Sequence, residues 1–322
     1  MNSETKAGFA MPGWAAKLCC LAAALIWGSS FFIMKDTLDA LPPNFLLGIR
    51  FTGASVILFV AMRRRVLANL NAQTVVRGLI LGALLFTAYC LQTIGLTDTT
   101  AGKNAFLTGV YCVMVPFLYW AVDKVRPGAC NVVAAVLCVA GIGLVSLSGD
   151  LSMRMGDALT LCAAVFYALH IVATSKFSSS RDVFVLTVWQ FVGAAVLAWV
   201  VSALFETAPA ASVWTPGIVG SMVYLSVMCT CVALLLQNVG TKYTSPSSAS
   251  LLLSMESPSG VLFSVAFAGE VLTGKVLAGF VLIFLAVITS ETRWQFLPFV
   301  RARAEAAEKS EAAEKTEEGS WR

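Results

Sequence analysis

Hydrophobic residues along this chain are gathered into ten long runs, which short polar connections separate. A helix needs roughly 20 mostly apolar residues to cross a bilayer, and each run has about that length. We therefore predict an all-α polytopic membrane protein with ten transmembrane helices, numbered as segments one to ten. The predicted helices are Leu18–Met34, Asn44–Met62, Val76–Leu96, Ala101–Val122, Val132–Ser148, Asp157–Ser175, Val183–Phe205, Gly217–Val239, Ser245–Ala268 and Val276–Ser290.

Segment nine contains an acidic residue close to its middle. Within the stretch Thr244–Glu270, Glu256 lies about 16 Å from the start, at about 1.5 Å per residue, near the bilayer midplane. A carboxylate at this depth is costly and marks a candidate functional site, although a structural glutamate bonded to a neighbouring helix is an open alternative. Pro258 follows, and Pro116 lies inside segment four. We expect both prolines to break their helices.

The composition is that of a membrane protein. Hydrophobic residues make up 58% of the chain and charged residues only 12%, against about 45–50% and about 25% in soluble domains. Motifs of serine hydrolases, phosphate-binding loops and zinc proteases are absent from the sequence, so we expect neither an enzyme nor ATP coupling within this chain. The nine cysteines lie mostly inside apolar runs without metal-ligand spacing. We expect buried free thiols, no metal and no cofactor.

Arginine and lysine residues accumulate in every second loop. By the positive-inside rule these loops lie in the cytoplasm, which places both termini there. The net charge of +4 follows from these loops and does not favour a nucleic-acid partner. The predicted inner residues are Lys6, Lys17, Arg63, Arg64, Arg65, Arg77, Lys124, Arg126, Lys176, Arg181, Lys242, Arg293, Arg301 and Arg303, against Lys35, Arg154 and Lys275 outside.

Two polar stretches flank the apolar region. Residues 1–17 are predicted to form a cytoplasmic N-terminal segment, and segment one is expected to stay uncleaved because no small-residue cleavage site follows it. Residues 292–322 contain an EAAEK(S/T) repeat with glutamate and lysine four positions apart, a spacing that favours a transient helix. The repeat has almost no apolar face for packing, so we expect a solvated, charged cytoplasmic tail.

Segments one to five resemble segments six to ten in order. Residues 50–54, RFTGA, correspond to residues 190–194, QFVGA, and residues 91–95 share Leu-Gln-x-x-Gly with residues 236–240. The offsets of 140 and 145 residues also pair Trp27 with Tyr167 and Tyr111 with Glu256. A unit of five crossings makes the second copy enter from the opposite face. We therefore predict two inverted repeats, residues 18–148 and 157–291, with a substrate site between them.

The same residues resemble a known family. WGSSFF at residues 27–32, Arg50 in segment two, residues 252–258 and AGEVLTGKVLAGFVLIFLAV at residues 268–287 are similar to the EamA family of the drug/metabolite transporter superfamily. The resemblance covers nearly all of the predicted helical chain. It implies ten helices around a central cavity that moves small metabolites across the inner membrane. One departure is Glu-Ser-Pro at residues 256–258, where the family usually has Glu-Pro, so we expect the break one residue later.

Polar and aromatic side chains within the predicted helices are candidates for lining the cavity. Asn104, Thr108 and Tyr111 share one face of segment four at i, i+4 and i+7, which either a cavity face or hydrogen bonding between helices explains. Gly78 and Gly82 predict close helix packing. The candidate cavity residues are Trp27, Ser30, Tyr89, Gln92, Lys103, Asn104, Thr108, Tyr111, Tyr167, His170, Gln237 and Glu256.

Three basic residues within the predicted helices admit different roles. Lys103 either reaches the outer headgroups or meets an anionic or zwitterionic substrate. His170, the single histidine, either makes a structural hydrogen bond or relays a proton. Arg50 needs a carboxylate or carbonyl partner within the membrane. Because Gln190 takes its place in the second copy, we assign Arg50 mainly a structural role.

We predict a secondary transporter of small metabolites, namely an amino-acid or metabolite exporter working by alternating access, in which one five-helix unit rocks against the other. Glu256 is assigned the key role, either taking up a proton or pairing with a substrate amine. The alternatives are a multidrug exporter and, in a different class, an intramembrane enzyme or receptor using Glu256, His170 and Lys103. The expected partners are a small-molecule substrate and the lipid bilayer, with the protein a monomer or a homodimer.

Overall fold

The structure, a computed structural model, describes residues 11–124, 126–146, 153–244, 246–269 and 271–292. Helices take up nearly all of these residues, so the predicted all-α fold is confirmed. The predicted tail lies outside the described residues beyond residue 292, as do residues 1–10 of the predicted N-terminal segment. The last residues of that segment belong to the first helix, which begins at Gly13.

Among the described residues, helices occupy most of every predicted segment and extend past several of the predicted ends. The first half of the chain forms α1 (Gly13–Gly28), α2 (Ser30–Leu38), α3 (Pro43–Ala68), α4 (Ala72–Thr97), α5 (Ala101–Gly109), α6 (Tyr111–Asp123) and α7 (Ala129–Ser146). The second half forms α8 (Met155–Ser178), α9 (Val183–Phe205), a 3₁₀ helix (Ala211–Val213), α10 (Pro216–Tyr224), a π-helix (Leu225–Val232), α11 (Ala233–Tyr243), α12 (Pro246–Leu253), α13 (Glu256–Phe267) and α14 (Gly274–Thr292).

Seven helical stretches among the described residues are long and apolar enough to cross a membrane. They correspond to segments one to four and six to eight, whereas α7 and α14 contain shorter apolar stretches and segment nine is divided into α12 and α13. Apolar side chains such as Val60, Leu204 and Phe205 point outward and are exposed, which suits a surface covered by lipid. The chain is therefore a multi-pass membrane protein, and the number of crossings stays a prediction.

Two helix starts illustrate how the sequence fixes the ends of the bundle. The Asn71 side chain accepts a hydrogen bond of 2.9 Å from the backbone N–H of Thr74 and caps α4. Glu206, just after α9, accepts hydrogen bonds from the backbone N–H groups of Asn44 and Phe45 at 2.7 and 2.8 Å. These two donors belong to the first turn of α3, which has no partner for them within its own helix. Glu206 thereby ties the two halves of the chain together.

Three membrane helices are broken near their centres. α1 gives way to α2 at Ser29, α5 gives way to α6 at Val110, and α12 gives way to α13 at Ser254–Met255. The second and third breaks occupy equivalent positions of the two halves, at the offset of 145 residues found in the sequence. The breaks are therefore part of the repeated architecture.

The prolines lie inside helices and not at the breaks. Pro116 is inside α6, and Pro258 is in the first turn of α13. A proline removes the hydrogen bond to the residue four positions earlier, and its ring clashes with that carbonyl group. The distortion therefore appears upstream of each proline. The expectation that Pro116 and Pro258 mark the breaks, with the second shifted one residue further on, is corrected accordingly.

Helix packing relates the two halves by a repeated pattern. The packing of α4 on α8 recurs as α11 on α1, that of α4 on α9 recurs as the π-helix on α3, and that of α6 on α8 recurs as α13 on α1. Three further pairs join a segment to its own counterpart, namely α3 with α9, α5 with α13 and α7 with α14. Exchanging the two halves thus reproduces the same contacts, as a pseudo-two-fold relation between two repeats requires.

The most extensive packings of the fold join one repeat to the other. Glycines permit the approach of α4 to α9. A Cβ atom added at Gly78 would lie 2.4 Å from Cβ of Trp189, and one added at Gly82 would lie 2.6 Å from the carbonyl oxygen of Gln190. The predicted close packing at these two glycines is confirmed.

Candidate functional site

A cavity lies between the two repeats, near the middle of the fold. Tyr167 and Ile171 place it about halfway along α8. Nine of the twelve predicted cavity residues are in its wall. The wall is formed by Trp27, Ser30, Phe31, Met34, Arg50, Tyr89, Gln92, Thr108, Tyr111, Tyr167, Ile171, Gln237 and Glu256.

Equivalent residues of the two repeats line the cavity together. Eight of its residues form four pairs that occupy equivalent positions in the two halves: Trp27 with Tyr167, Phe31 with Ile171, Gln92 with Gln237, and Tyr111 with Glu256. A site built in this way receives side chains from both repeats at the same depth. Its chemistry differs between the halves wherever the paired residues differ.

Glu256 is the first residue of α13, directly after the break in segment nine. Its side chain is buried, and Oε1 has no hydrogen-bond partner. Among the described residues, no basic nitrogen lies within 4.0 Å of its carboxylate. An ionised carboxylate in these surroundings is stable only if a proton or a ligand neutralises it. Glu256 is therefore a vacant position for a proton or a cationic group.

Arg50 of α3 lies in the same cavity and is 1% exposed. Its Nε donates to Oγ1 of Thr230 at 3.0 Å, its Nη1 donates to Sδ of Met34 at 3.2 Å, and its guanidinium carbon lies 5.3 Å from the centre of the Tyr89 ring. These partners are all uncharged, and within the described residues Arg50 has no ion pair. A charge left unpaired at the centre of a membrane helix costs about 2.5–3.5 kcal/mol on insertion scales.

The position of Arg50 corrects the sequence analysis in two respects. Its partners are a hydroxyl, a thioether and an aromatic ring, where a carboxylate or carbonyl was expected. It also lines the cavity, although it was assigned mainly a structural role. The signal that could have found it was present in the sequence, because an arginine two turns inside a membrane helix is as costly as Glu256.

The π-helix of segment eight supplies partners to two cavity residues. The carbonyl oxygen of Cys229 accepts a hydrogen bond of 2.7 Å from Nε1 of Trp27, and the adjacent Thr230 accepts from Arg50. A π-helix displaces carbonyl groups from the usual pattern and is frequent at functional sites. Its counterpart in the first repeat, α4, is uninterrupted. The sequence of the π-helix contains neither proline nor glycine, so sequence analysis missed it.

Tyrosine rings form one wall of the cavity. The Tyr167 ring centre lies 5.5 Å from that of Tyr89 and 6.2 Å from that of Tyr111. The Tyr167 hydroxyl donates to Oε1 of Gln92 at 2.7 Å, whereas the buried Tyr111 hydroxyl has no partner. The cavity thus combines an aromatic wall with two charges and an unused hydroxyl, which suits a small polar ligand.

Lys103 and Asn104 lie outside the cavity wall. Nζ of Lys103 is 2.8 Å from Oδ2 of Asp157, an acid that is fully buried, so Lys103 makes an ion pair and does not line the cavity. Nδ2 of Asn104 donates to the carbonyl oxygen of Gln92 at 3.2 Å and to Oγ1 of Thr160 at 2.8 Å. Both residues join segment four to its neighbours.

His170 also lies outside the cavity wall. It is fully buried in α8, and its Nδ1 is 3.3 Å from Nε2 of Gln237, which does line the cavity. His170 therefore contacts a residue that lines the cavity, Gln237, but does not reach the cavity itself.

Two surface depressions lie at opposite ends of α8, which is about 36 Å long at 1.5 Å per residue. The first is lined by residues 97–101 together with Lys35, Asp36, Arg154 and residues 267–268. The second is lined by Met11, Arg65, Phe184, Val239 and residues 179–182 and 242–243. The Lys103–Asp157 ion pair lies near the first depression, and an ion pair between Arg65 and Asp182 lies at the second.

Comparison with known proteins gives a consistent result. The model of the EamA-like transporter family matches residues 14–147 and again residues 154–291. An uncharacterized transporter of Archaeoglobus fulgidus is 32% identical over 282 residues, which cover 86% of each chain. The uncharacterized transporter YoaV of Bacillus subtilis is 24% identical over 220 residues, covering 65% of this chain and 74% of its own.

A solved structure shares the fold. One crystal structure superposes with a TM-score of 0.65 over 85% of this chain and 96% of its own, at 18% sequence identity. At this identity the likeness concerns the fold alone. The double match of the family model and the repeated helix contacts agree on an architecture of two repeats.

Proposed function

The chain belongs to the EamA-like transporter family, and we propose that it is a secondary transporter that carries a small polar metabolite through the central cavity by alternating access. The observation that carries this proposal is the presence of two buried ionisable side chains, Arg50 and Glu256, in a cavity between two repeats, where neither has an ion pair within the described residues. Substrate sites of inverted-repeat transporters lie at such an interface near the midplane.

The proposal includes ten membrane crossings arranged as two inverted five-helix repeats. α7 and α14 then cross the membrane although they are short, and α12 and α13 together form the ninth crossing. With basic loops inside, both termini lie in the cytoplasm and the protein lies in the cell membrane. Export of an amino acid or a related metabolite is the direction and class that we favour.

The packing favours a different moving part from the rocking of whole repeats. Rocking would slide α3 over α9, α4 over both α8 and α9, and α7 over α14 at the same time, and these are the most extensive packings of the fold. The breaks between α5 and α6 and between α12 and α13 lie next to the cavity, because Tyr111 and Glu256, the residues that follow them, are in its wall. We propose that these helices move at their breaks and open the cavity towards one depression at a time.

Each end of the fold has one ion pair that would hold that end closed during such a cycle. The Lys103–Asp157 pair joins α5 to α8 near the first depression, and the Arg65–Asp182 pair joins the end of α3 to the start of α9 at the second. Opening one end requires breaking one of these pairs while the other stays formed, which is the behaviour that alternating access demands.

The test is flux in proteoliposomes that contain the purified protein. With Glu256→Gln, we expect the initial rate of uptake of radiolabelled amino acids to fall at least about thirtyfold, because removing the charged partner of a desolvated substrate group costs about 2–5 kcal/mol. Glu206→Gln is the matched control, since Glu206 lies outside the cavity and caps α3.

Three results would contradict the proposal or a part of it. Full flux in the Glu256→Gln protein would remove this carboxylate from the mechanism. Chemical conversion of a labelled lipid or solute, without net movement across the membrane, would favour an intramembrane enzyme. Flux of cationic dyes in place of amino acids would favour the multidrug alternative.

A further inference from the structure

We propose that the pathway of the solute continues from the cavity towards the second depression along a polar surface formed by His170, Thr174 and Gln190, here named the His170 surface. This surface is closed in the structure and joins the cavity wall when the fold opens at that depression. Its imidazole, hydroxyl and carboxamide groups suit water and a small polar solute. The inference rests on the proposed function and names the residues that line one half of its pathway.

The cavity wall is only partly preserved when the two halves of the chain are exchanged. Eight wall residues have counterparts that also line the cavity, but five have counterparts outside it. The five pairs are Ser30 with His170, Met34 with Thr174, Arg50 with Gln190, Tyr89 with Leu234 and Thr108 with Leu253. All five counterparts outside the wall are at most 1% exposed. The cavity therefore extends into one half of a pseudo-symmetric frame, and the matching space in the other half is closed.

The half that the cavity occupies leads towards the first depression. Met34 is in the cavity wall, and the next two residues of α2, Lys35 and Asp36, line that depression. In an inverted repeat, exchange of the halves exchanges the two ends of the fold. The closed counterpart of this half is therefore expected to lead towards the second depression.

The positions of the His170 surface agree with this expectation. On α8, Ile171 lines the cavity, Thr174 follows about one turn later, and Ser179 lines the second depression just after the helix ends. Gln190 lies about two turns into α9, whose N-cap residue, Asp182, lines the same depression. The surface thus lies between the cavity and the second depression.

Two adjacent residues of α11 join the surface to the cavity. Nε2 of Gln237, which lines the cavity, is 3.3 Å from Nδ1 of His170. Nδ2 of Asn238 donates to Oε1 of Gln190 at 3.0 Å. His170 and Thr174 are four residues apart on α8 and share one of its faces. The three residues therefore belong to one polar region that begins at the cavity wall.

The polar groups of this region are incompletely hydrogen-bonded. Nε2 of His170, Oγ1 of Thr174 and Nε2 of Gln190 are buried and have no partner within the described residues. The same holds for Oδ1 of Asn238 and Oγ1 of Thr241 on α11. A buried polar group without a partner is costly and is rare in folded proteins.

Packing alone does not require polar side chains at these positions. Leu234 and Leu253, the other two counterparts outside the wall, fill the closed half with apolar groups. Permanent closure would leave the imidazole, hydroxyl and carboxamide groups unpaired at a lasting cost in stability. Opening towards the second depression brings water or a polar solute to them, so the polar residues fit a surface that is wet in another state of the protein.

The experiment labels Thr174→Cys in the full-length protein, reconstituted in oriented vesicles, with a membrane-impermeant thiosulfonate added to one face. Mass spectrometry of the peptide that contains position 174 measures the reaction separately from the native cysteines. The faces are identified with Arg64→Cys, because Arg64 is exposed next to Arg65 of the second depression. We expect labelling at position 174 from the face of the second depression.

Thr187→Cys is the matched control. Thr187 is also fully buried and accepts a hydrogen bond of 2.9 Å from Asn238, but its counterpart, Leu47, is outside the cavity wall. We expect position 174 to react at least about tenfold faster than position 187, because a buried thiol reacts only in the open state and position 187 stays closed there.

The ion pairs at the two ends make the test specific to the opening of one end. Asp182→Asn removes the anion of the exposed pair at the second depression, so labelling at position 174 should rise about twofold to fivefold. Asp157→Asn removes the anion of the pair near the first depression, so labelling at position 174 should fall at least about twofold. A general loosening of the fold would instead raise labelling at positions 174 and 187 in both variants.

His170 gives a second readout that leaves the surface itself unchanged. It is the single histidine of the chain, and diethyl pyrocarbonate modifies an accessible imidazole, which mass spectrometry detects. In protein purified without a histidine tag, we expect His170 to react faster with Asp182→Asn and more slowly with Asp157→Asn. This readout applies even if Thr174→Cys prevents folding.

Three outcomes would overturn the His170 surface. These are no reaction at either position 174 or His170, equal labelling at positions 174 and 187, and labelling at position 174 from the face of the first depression. The flux experiment is read separately. Labelling with the expected dependence but without flux would refute the proposed transport and keep the surface, whereas flux without any labelling would keep transport and refute the surface.

Discussion

The two repeats share a backbone plan but differ in the charges that they bring to the cavity. Each has a helix broken at an equivalent position, and the residue directly after the break lines the cavity in both. In the first repeat this residue is Tyr111, and the neighbouring segment supplies Arg50. In the second repeat the equivalents are Glu256 and Gln190.

The difference teaches that shape and chemistry are encoded separately. The repeated contacts between helices fix where the breaks and the cavity lie, and they are the same after exchange of the halves. The differences between the repeats, Arg50 against Gln190 and Tyr111 against Glu256, then make the two sides of a pseudo-symmetric cavity chemically unlike.

The largest expected effect is a loss of transport when Arg50 is replaced by the residue that the second repeat has at the equivalent position. Arg50→Gln copies the residue at position 190, which the second repeat already accommodates, and we expect transport to fall about a hundredfold through loss of a buried charged partner. Arg50→Lys should recover only part of the rate, because a lysine ammonium lacks the planar fork of a guanidinium. Initial uptake rates in proteoliposomes measure both. Rates within twofold of wild type for Arg50→Gln would contradict the assignment.

The next largest effect is on stability, and it compares one glycine of segment three with one glycine of segment eight. Gly82→Ala places a methyl group 2.6 Å from the carbonyl oxygen of Gln190, whereas a methyl group at Gly220 in α10 meets nothing within 4 Å. We expect Gly82→Ala to destabilise the fold by about 1–3 kcal/mol through overpacking. Gly220→Ala should stabilise it by up to about 1 kcal/mol through helix propensity.

Thermal unfolding of the two alanine variants in the same detergent measures the difference. The opposite signs matter more than the magnitudes, since both changes add the same methyl group. Equal shifts of the melting temperature would contradict the close packing of α4 on α9.

The smallest effect compares the ion pairs at the two ends. Asp157 is fully buried, so Asp157→Asn leaves the partly buried Lys103 without its anion and a buried site with fewer acceptors, and we expect a loss of about 2 kcal/mol. The Arg65 side chain is 47% exposed, so Asp182→Asn should cost below about 1 kcal/mol. Asparagine keeps the cap that Asp182 gives to α9.

The contributions of the two ion pairs to stability should also differ in their dependence on salt concentration. At about 1 M salt the exposed pair should contribute nothing measurable, because charges in water are screened within about 3 Å. The loss in Asp157→Asn should persist under the same conditions. Unfolding transitions at low and high salt measure this, and an equal salt dependence for both variants would show that the two ends are alike.

Much of the fold follows from the sequence, because the membrane imposes one simple rule on the apolar runs. Segment lengths, the duplication and the depth of Glu256 can all be read from residue order. The sequence does not show in the same way which side chains of a helix face the cavity and which face another helix. Thr108 and Tyr111 line the cavity, but Asn104 on the same predicted face bonds to Thr160 of α8.

Two features depended on partners distant in sequence. Lys103 pairs with Asp157, which no local pattern around either residue indicates. Arg50 becomes a cavity residue only through the position of α3 against the π-helix, whose own sequence has no distinguishing residue. A local effect explains one of the breaks, because Pro258 removes the hydrogen bond to the carbonyl group of Ser254, which lies between α12 and α13.

The central claim is that the cavity between the repeats is the transport pathway and opens to one side at a time. Ser30→Cys places a thiol of nearly the same size in the cavity wall, and its modification by a membrane-impermeant, positively charged thiosulfonate can be followed in oriented vesicles against the wild-type cysteine background. The account predicts modification from either face and at least about tenfold slower modification at a saturating concentration of the transported solute. Modification from one face only, or without protection by the solute, would contradict it.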